Sequence, residues 1–406
     1  KLREDGFIEA DTVARLLIDE KFQQQALGQV IWVDEAGMLS TRQMRDLFRL
    51  ADQLDARVLL TGDRFQHGSV ERGAALRLLE EEAGIRPAAV KEIQRQSDQY
   101  REAVKSLSSG DVAQGFATLD ELGWVREVDD ADRYQTLAAD YVAVRNNNET
   151  ALVISPTLAE GAMISAEIRR RLKEQGTIAQ EGREVLRLVP AHFTEAEKTD
   201  RLNYRDGDVL QFMQNAKGYT KGDRQVVGSN DLPLDQSQRF AVFHADRLEI
   251  AKGDVIRITA GGTTLDGMHR LDNGGIFTVK EFDADGNLVL ANGWKIGRDF
   301  GHLAHGYTVT SHASQGHTVD RVLIGESSAS FAAASREQFY VSVSRGKRQA
   351  TIYTDDKEAL LEAVSLGDDR VTASEFIRGR TTRFEQLQAQ RPEATHDQER
   401  LVVHER

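Results

Sequence analysis

Residues 30–37 read Val-Ile-Trp-Val-Asp-Glu-Ala-Gly, so that two adjacent carboxylates, Asp34 and Glu35, directly follow a short apolar run. Such a run is typical of a buried strand. The pattern recurs at 58–66, which read Val-Leu-Leu-Thr-Gly-Asp-Arg-Phe-Gln. In open α/β sheets, ligands bind beyond the carboxyl ends of the strands. Two strands that end in polar residues at one edge of a sheet therefore indicate a nucleoside-triphosphatase.

The segment between these two strands predicts a helix. Ser40 and Gln43 have the spacing of a capping box, and apolar residues follow at helical spacing at Met44, Leu47, Phe48, Ala51 and Leu54. A strand, a helix and a strand in succession form a βαβ unit, which implies a parallel sheet. Another helix-like segment, from Asp11 to Phe22, precedes the first strand.

The rest of the chain alternates between two patterns, which predicts several domains. Helices are expected from Ser97 to about Tyr141, and the α/β pattern restarts with an apolar strand at 151–154 and returns at 322–324 and 350–353. Between about 202 and 301, short alternating strands separated by Gly and Asp turns predict a small β-barrel. We therefore predict an α/β protein with a first domain at 1–148, a second at 149–200 and 302–365, a barrel inserted at 201–301, and a polar tail at 366–406.

Composition limits the class of protein. A chain of 406 residues is long enough for two or three domains. It has no cysteine, which excludes disulfides and Cys-ligated metals and is compatible with a cytoplasmic location. Its net charge of −13 argues against coating of a duplex backbone but leaves room for a local basic channel for single strands. No apolar stretch has the length of a membrane span, so membrane insertion is not expected.

The acidic residues and Gln66 could be catalytic, or they could be ordinary polar residues at the surface. Phosphoryl transfer needs a divalent cation and a group that orients or deprotonates the attacking water, and adjacent carboxylates can divide these two tasks. The alternative is a solvated pair at a strand end. Gln66 could hydrogen-bond a γ-phosphate or the water because its amide both donates and accepts. Alone, it could equally be a polar loop residue.

Two arginines are candidates for stabilising phosphate charge. Arg95 lies in Glu-Ile-Gln-Arg-Gln and Arg345 in Val-Ser-Arg-Gly-Lys. A planar guanidinium can stabilise the charge on transferring phosphate oxygens. In a chain with 29% charged residues, the alternative is an ordinary surface arginine.

The segment 307–317, Tyr-Thr-Val-Thr-Ser-His-Ala-Ser-Gln-Gly-His, is rich in hydroxyls and small residues that can bind phosphates. Nearby histidines at His302, His305, His312 and His317 raise the alternative of a metal site, but they lack the spacing of the zinc-protease helix motif. The stretch 283–287 resembles the start of a calcium loop, yet position twelve is Trp294 rather than Glu, which favours a β-hairpin turn.

Taken in order, these blocks resemble a superfamily 1 helicase of the RecD-like, 5′-to-3′ branch, and most of all the helicase region of MobF-type conjugative relaxases. The matching stretches are 33–37 (Walker B), 62–66 (motif III), Arg95-Gln96 (motif IV), 307–316 (motif V) and 339–345 (motif VI). The likeness extends from about residue 5 to residue 360. It implies two RecA-like P-loop NTPase domains, the first incomplete, with a small SH3-like barrel in the second.

The resemblance also implies roles for individual residues. Asp34 would hold Mg²⁺, Glu35 would activate water, Gln66 would sense the γ-phosphate, and Arg95 and Arg345 would act as arginine fingers. Asp63, Gln315 and Gly316 would belong to the nucleotide site. A single DNA strand would run along Thr157, Thr310, His312 and Ser314. The expected cofactors are ATP and Mg²⁺, and the expected partners are single-stranded DNA and other conjugation proteins.

One departure from the family pattern is important. The sequence contains no Gly-x-x-x-x-Gly-Lys-Ser/Thr phosphate loop, which supplies the amides and the lysine that hold the β- and γ-phosphates. We therefore expect a piece of a longer protein that by itself hydrolyses ATP poorly. The sequence leaves open a RecD-type repair helicase and a non-catalytic module that only binds single-stranded DNA.

Overall fold

The computed structural model describes residues 2, 6–63, 65–69, 73–90, 92–228 and 230–367. Its contacts divide the chain into two compact units. Unit 1 comprises 1–90 and 367–406, and unit 2 comprises 91–366. Of the predicted polar tail at 366–406, residues 368–406 lie outside the described residues.

Unit 1 is built around one βαβ element. In chain order it contains α1 (Val13–Leu16), α2 (Glu20–Gln25), β1 (Val30–Val33), a 3₁₀ turn (Ala36–Met38), α3 (Thr41–Gln53), β2 (Arg57–Leu60) and α4 (Ala75–Glu81). The predicted helix from Asp11 to Phe22 is in fact two short helices. The chain breaks between them because the Asp19 carboxylate accepts from the backbone N–H groups of Lys21 and Phe22, which starts α2 anew.

The predicted parallel pairing of the first two strands is confirmed. Strands β1 and β2 pair in parallel, with Ile31 opposite Val58. The capping box at the start of α3 is also present, since Gln43 N–H donates to Ser40 Oγ at 3.2 Å and Ser40 N–H donates to Gln43 Oε1 at 3.0 Å. The apolar stripe of α3 packs Met44, Leu47, Leu50 and Ala51 into the core of unit 1.

The sheet of unit 1 is covered on one face only within the described residues. Ile31 and Val33 are 8% and 3% exposed, whereas Val30, Trp32 and Leu59 are 60%, 53% and 50% exposed. Parallel strands are normally buried on both faces. Within the described residues, helices therefore cover one face of the parallel pair in unit 1, and the other face is largely exposed.

Unit 2 contains most of the elements. Its helices are α5 (Asp98–Ser108), α6 (Val112–Glu121), α7 (Asp130–Asn146), α8 (Leu158–Glu174), α9 (Glu195–Lys198), α10 (Ser311–Ser314), α11 (Arg336–Val343) and α12 (Lys357–Ser365). Its strands are β3 (Val125–Glu127), β4 (Ala151–Ile154), β5 (Gly182–Pro190), β6 (Val209–Phe212), β7 (Arg224–Val226), β8 (Phe240–Ala251), β9 (Val255–Ile258), β10 (Gly262–Thr263), β11 (Arg270–Leu271), β12 (Ile276–Phe282), β13 (Leu288–Leu290), β14 (Lys295–Ile296), β15 (Leu303–His305), β16 (Thr308–Val309), β17 (Val319–Gly325) and β18 (Gly346–Thr354).

A five-stranded parallel sheet forms the centre of unit 2. Its strand order is β16-β4-β17-β18-β3, and every pairing is parallel. Its apolar residues are almost fully buried, with Val153, Ile324 and Ile352 at 0% exposure. The chain is therefore an α/β protein with a parallel sheet, as predicted.

Antiparallel strands interrupt this sheet between β4 and β16. Strands β5, β8, β6 and β7 form one sheet, and β14, β13, β12, β9 and β15 form another. This region runs from Gly182 to His305, which is wider than the predicted 201–301 because the long strand β5 pairs with β8 along its whole length. The β-rich insertion in the second α/β region is thus present.

The contacts place a division of the chain at 90/91, whereas the sequence predicted one at 148/149. The physical reason is that Val125 in β3 pairs with Ile352 in β18, at the edge of the central sheet of unit 2. Helices α5 and α6 lie in the same unit. Among the described residues, no helix combines the length and the apolarity that are needed to cross a bilayer.

Candidate functional site

The Asp34 side chain is fixed at the end of β1 by the neighbouring strand. Thr61, directly after β2, donates its hydroxyl to Asp34 Oδ1 at 3.1 Å, and Trp32 Nε1–H donates to Thr61 Oγ1 at 3.0 Å. The backbone N–H of Thr61 also donates to the Val33 carbonyl at 2.9 Å, which continues the ladder beyond both strands. The exposed Asp34 carboxylate therefore has a defined orientation at the carboxyl edge of the sheet.

Glu35 occupies an unusual backbone conformation. Its φ and ψ angles are 52° and 44°, in the left-handed region that residues other than glycine seldom adopt. The 3₁₀ turn follows at once, and Met38 N–H donates to the Glu35 carbonyl at 2.9 Å. Such strain persists only where the surroundings enforce it, and it is common at functional sites. Glu35 is half-buried beside the exposed Asp34.

The loop after β2 brings two more predicted residues to the same edge. Asp63 Oδ1 accepts from Phe65 N–H at 2.9 Å, and Gln66 Nε2 donates to Asp63 Oδ2 at 3.4 Å. Within the described part of the chain, the buried Gln66 Oε1 accepts no hydrogen bond. A Cβ on Gly62 would lie 3.2 Å from the Ala36 nitrogen, so the two loops approach each other closely. Asp34, Glu35, Asp63 and Gln66 thus follow two adjacent parallel strands, and we call these four residues the acidic edge of unit 1.

The chemistry of the acidic edge suits a hard cation, because Mg²⁺ prefers carboxylate oxygens and keeps several of its waters. Asp34 and Asp63 provide such oxygens at two adjacent strand ends. The described residues contain no group of three or more His, Cys, Asp or Glu side chains arranged to hold a metal ion by themselves. The carboxylate oxygens of this edge therefore fit a hard cation.

The structure brings together the two candidate arginines, Arg95 and Arg345, in unit 2. Arg95 Nη1–H donates to the Ser344 carbonyl at 2.6 Å, and Arg345 Nη2–H donates to Ser344 Oγ at 2.8 Å. Arg345 is 3% exposed and its Nε–H donates to the Val341 carbonyl at 2.9 Å, whereas Arg95 is exposed. Both guanidinium groups therefore lie at the carboxyl end of α11.

Sequence reasoning missed two further residues at this end. Gln96 donates to the carbonyls of Ser344 and Gly346, and Tyr100 donates to the carbonyl of Val343 at 2.6 Å. Both are almost fully buried. Burial raises the pKa of the Tyr100 phenol, which keeps it a neutral donor. The adjacency of Gln96 to Arg95 was the only available signal in the sequence.

The predicted DNA-path residues Thr157 and Thr310 occupy equivalent positions in neighbouring strand–helix turns. Strands β4 and β16 are adjacent and parallel, and each threonine follows one of them at the start of a helix. Thr157 Oγ1 accepts from Glu160 N–H at 3.2 Å, and Thr310 Oγ1 accepts from Ala313 N–H at 3.4 Å. The two hydroxyls therefore cap helices at the carboxyl edge of the central sheet, where a ligand is expected.

The other residues of the 310–316 segment divide into two groups. His312 is exposed, but Ser314 is 0% exposed and donates its hydroxyl to the Ser311 carbonyl at 2.6 Å. Ser314 thus stabilises the turn and does not present its side chain to a strand, contrary to the prediction. In the described structure, both amide atoms of Gln315 are buried without a hydrogen-bond partner, and Gly316 has a φ of +78°. Unpaired buried amides are rare and costly, which makes Gln315 a candidate ligand-binding residue.

A buried carboxyl group also lies at this carboxyl edge. Glu326, directly after β17, is 0% exposed, and within the described residues neither of its oxygens has a hydrogen-bond partner. Burial raises the pKa of Glu326 to about 8, the nearby Gln338 amide lowers it, and the charge of Glu160 raises it. Its position after an apolar strand was visible in the sequence, but its burial was not.

The alternative interpretations concern the histidines at 302 and 305 and the turn at 283–287. His302 Nε2 contacts Gln211 Oε1 at 2.8 Å and His305 Nε2 contacts the Glu249 carbonyl at 2.9 Å, so these histidines have separate partners in the insertion. Burial, followed by the charge of Arg224, lowers the pKa of His302 to about 4. The stretch that resembles a calcium loop is the turn between β12 and β13, with Asn287 N–H bonded to Asp283 Oδ1, as the sequence favoured.

Known proteins share similarity with parts of this chain. A family model described as an AAA domain matches residues 1–130, which include the whole acidic edge of unit 1. The Pif1 helicase from Candida albicans is a similar solved structure, with 16% identity, a TM-score of 0.49, and coverage of 93% of this chain and 83% of that one.

The sequence relatives are conjugation proteins. The chain is 26% identical over 325 residues to a probable conjugal transfer protein TraA of Sinorhizobium fredii, covering 79% of this chain and 24% of the relative. It is 21% identical over 452 residues to the multifunctional conjugation protein TraI of Escherichia coli, covering 95% and 25%. The chain thus spans about a quarter of the length of these relatives. These matches confirm the resemblance to superfamily 1 helicases related to conjugative relaxases.

Proposed function

We propose that this chain is the motor portion of a conjugative helicase that couples ATP hydrolysis to 5′-to-3′ translocation on single-stranded DNA during plasmid transfer. The observation that carries the proposal is the acidic edge of unit 1, where Asp34 is oriented by Thr61 beside the backbone-strained Glu35. The relationship to conjugal transfer proteins supports a setting in conjugation. As part of the proposal, the chain acts in the cytoplasm and with other conjugation proteins. In this proposal both α/β units are RecA-like, and the β-rich insertion of unit 2 is an SH3-like barrel.

The acidic edge would bind the metal–nucleotide complex and prepare the water. When bound, Mg²⁺ neutralises phosphate charge as it develops. Asp34 and Asp63 would hold the ion, and their oxygens suit it. Glu35 would accept a proton from the attacking water. Gln66 would position that water or the γ-phosphate. Its amide suits this role, because it can donate and accept, and Oε1 accepts no hydrogen bond from the residues that the structure describes.

Unit 2 has four residues whose groups suit phosphate oxygens: Arg345, Arg95, Gln315 and Gly316. A guanidinium stabilises charge on phosphate oxygens best where water is excluded, and Arg345 is 3% exposed. Within the described residues the two amide atoms of Gln315 have no hydrogen-bond partner, and the positive φ of Gly316 allows the backbone N–H groups to turn toward an anion.

A single DNA strand would cross the carboxyl edge of the central sheet in unit 2. Thr157 lies at the N-terminus of the long helix α8, where backbone N–H groups and the helix dipole favour phosphates, and Thr310 follows the adjacent strand. The exposed His312 would contact the same strand. Ser314 has no part in this path, because its side chain is buried.

A non-catalytic module that only holds single-stranded DNA is the second candidate. One observation favours it: the 406 residues contain no phosphate-loop sequence. A RecD-type repair helicase shares the same motor chemistry and differs from the first proposal in its biological setting.

The test compares DNA-stimulated ATPase activity of this chain with that of a version that carries a phosphate-loop segment N-terminal to Lys1. We expect little turnover from the 406-residue chain and DNA-stimulated turnover from the extended one, because the amides and lysine that hold the phosphates are then present. An extended protein that binds single-stranded DNA but never hydrolyses ATP would instead establish the binding module.

A further inference from the structure

Side chains from residues 95–100 cap the carboxyl end of α11. Helices leave their last carbonyls without intrahelical partners, and here three side chains satisfy them. Arg95 donates to the Ser344 carbonyl at 2.6 Å and Tyr100 to the Val343 carbonyl at 2.6 Å. Gln96 Nε2 donates to the Ser344 carbonyl at 3.1 Å and to the Gly346 carbonyl at 2.6 Å. The segment 95–100 therefore contacts the chain around Arg345, although the two lie roughly 250 positions apart in the sequence.

Gln96 is the central member of this cap. A single amide group donates to the carbonyls immediately before and immediately after Arg345, so it spans the residue that the proposed function assigns to the phosphates. Gln96 is 2% exposed, so solvent does not compete for the hydrogen bonds of its amide. A buried carbonyl that loses a donor bears a desolvation cost without compensation, so removal of Gln96 should weaken the support of the backbone around Arg345, most of all at the Gly346 carbonyl.

Close packing leaves the cap little freedom to adjust. A Cβ on Gly346 would lie 2.6 Å from Tyr100 Oη and 2.5 Å from the Gln349 carbonyl, so this turn approaches Tyr100 as only glycine permits. The Arg345 carbonyl accepts from Val319 N–H at 3.1 Å, which links the turn to the start of β17. The Arg345 backbone is thus held on both sides.

We propose that Gln96 is a positioning residue for Arg345: by bridging the carbonyls on either side of it, Gln96 sets the direction in which the Arg345 guanidinium leaves the backbone. The inference rests on the proposed role of Arg345 in ATP hydrolysis. It assigns Gln96 no contact with ATP or DNA. A displaced catalytic group loses much of its effect, since a misplacement of about 1 Å can reduce a rate about a hundredfold.

The first test uses the version extended with a phosphate-loop segment. Gln96→Glu retains the size of the side chain but replaces the donor with a carboxylate that repels both carbonyls. We expect kcat to fall by about tenfold to a hundredfold with KM for ATP and DNA affinity nearly unchanged. The matched control is Gln94→Glu, because Gln94 is exposed and its amide donates to the Glu92 carboxylate at 3.1 Å. Equal kcat values for the two variants would overturn the proposal.

Two further readouts separate positioning from general damage to the fold. The kcat of Gln96→Glu should recover as pH falls, because a protonated carboxyl group regains one donor. In an Arg345→Ala background, Gln96→Ala should cause almost no additional loss, because the two residues act as one unit. Independent, additive losses or a flat pH profile would contradict a role exercised through Arg345.

Hydrogen exchange on the 406-residue chain tests the cap without any ATPase activity. Gln96→Ala should accelerate exchange of the backbone amides at 343–346, and Gln94→Ala should not. Unchanged protection at 343–346 would overturn the inference directly. If protection is lost but the extended wild-type protein never hydrolyses ATP, the cap exists and the proposed function is what fails.

Discussion

The acidic edge of unit 1 and the carboxyl end of α11 in unit 2 carry the proposed chemistry in opposite ways. Asp34 is exposed and fixed mainly by its neighbours at two strand ends, and one face of its sheet is open in the described residues. Arg345 is 3% exposed and lies in a turn fixed by side chains from a distant segment. The carboxylates are thus positioned by local sequence, whereas the arginine is positioned by tertiary contacts.

The largest effect on ATP turnover is expected from substitution of Arg345. In the version extended with a phosphate-loop segment, Arg345→Ala should lower DNA-stimulated turnover by about a thousandfold, the lower range for an arginine finger. Steady-state ATPase assays measure this loss, and single-stranded DNA affinity is measured in parallel. Arg348→Ala is a matched control, because Arg348 is an exposed arginine that pairs with Glu149 at 2.8 Å.

A loss of DNA affinity without a loss of turnover in Arg345→Ala would make Arg345 a strand contact. ATP turnover would then not depend on the buried arginine at the carboxyl end of α11.

The next largest effect concerns the pH dependence of stability, and it comes from Glu326. Its pKa is raised from 4.5 to about 8 by burial, so between these values the folded chain holds a proton that the unfolded chain has released. Its contribution therefore lowers the free energy of unfolding by about 1.4 kcal/mol for each pH unit of increase. Glu326→Gln should remove this slope and stabilise unit 2 near pH 8. Urea unfolding between pH 6 and pH 8 measures both.

The control for Glu326 is Glu167→Gln. The hydrogen bond from Arg170 lowers the pKa of Glu167, so its contribution to stability is present above the ordinary range of a glutamate and is lost only as pH falls. Its substitution should leave the slope between pH 6 and pH 8 unchanged. A wild-type slope that survives Glu326→Gln would show that Glu326 is not the titrating group.

The smallest effect concerns helix caps in the two units. Ser40→Ala removes a hydroxyl that accepts from Gln43 N–H and should cost about 1 kcal/mol of unfolding free energy. Ser97→Ala, at the start of α5, should cost almost nothing, because the Ser97 side chain makes no capping hydrogen bond. Urea unfolding at constant pH compares the two variants. Equal costs would mean that the capping box does not stabilise unit 1.

Local patterns in the sequence were sufficient to predict the acidic edge. An apolar strand that ends in Asp34 and Glu35, a capping box and a second apolar strand specify the parallel pair without distant contacts. The partners at the carboxyl end of α11 could not be predicted in this way, because Arg95 and Ser344 are 249 positions apart. Burial could not be predicted either, because the same hydroxyl-rich segment contains both Ser314, which is buried, and His312, which is exposed.

The most direct test of the central claim, that Glu35 is the group that activates water, is the Glu35→Gln variant of the extended protein. This change keeps the size of the side chain and the strained backbone but removes the base. We predict that DNA-stimulated ATP turnover falls by at least about a hundredfold, while ATP binding, measured by equilibrium titration, stays close to wild type. Turnover near the wild-type rate in Glu35→Gln would contradict the account.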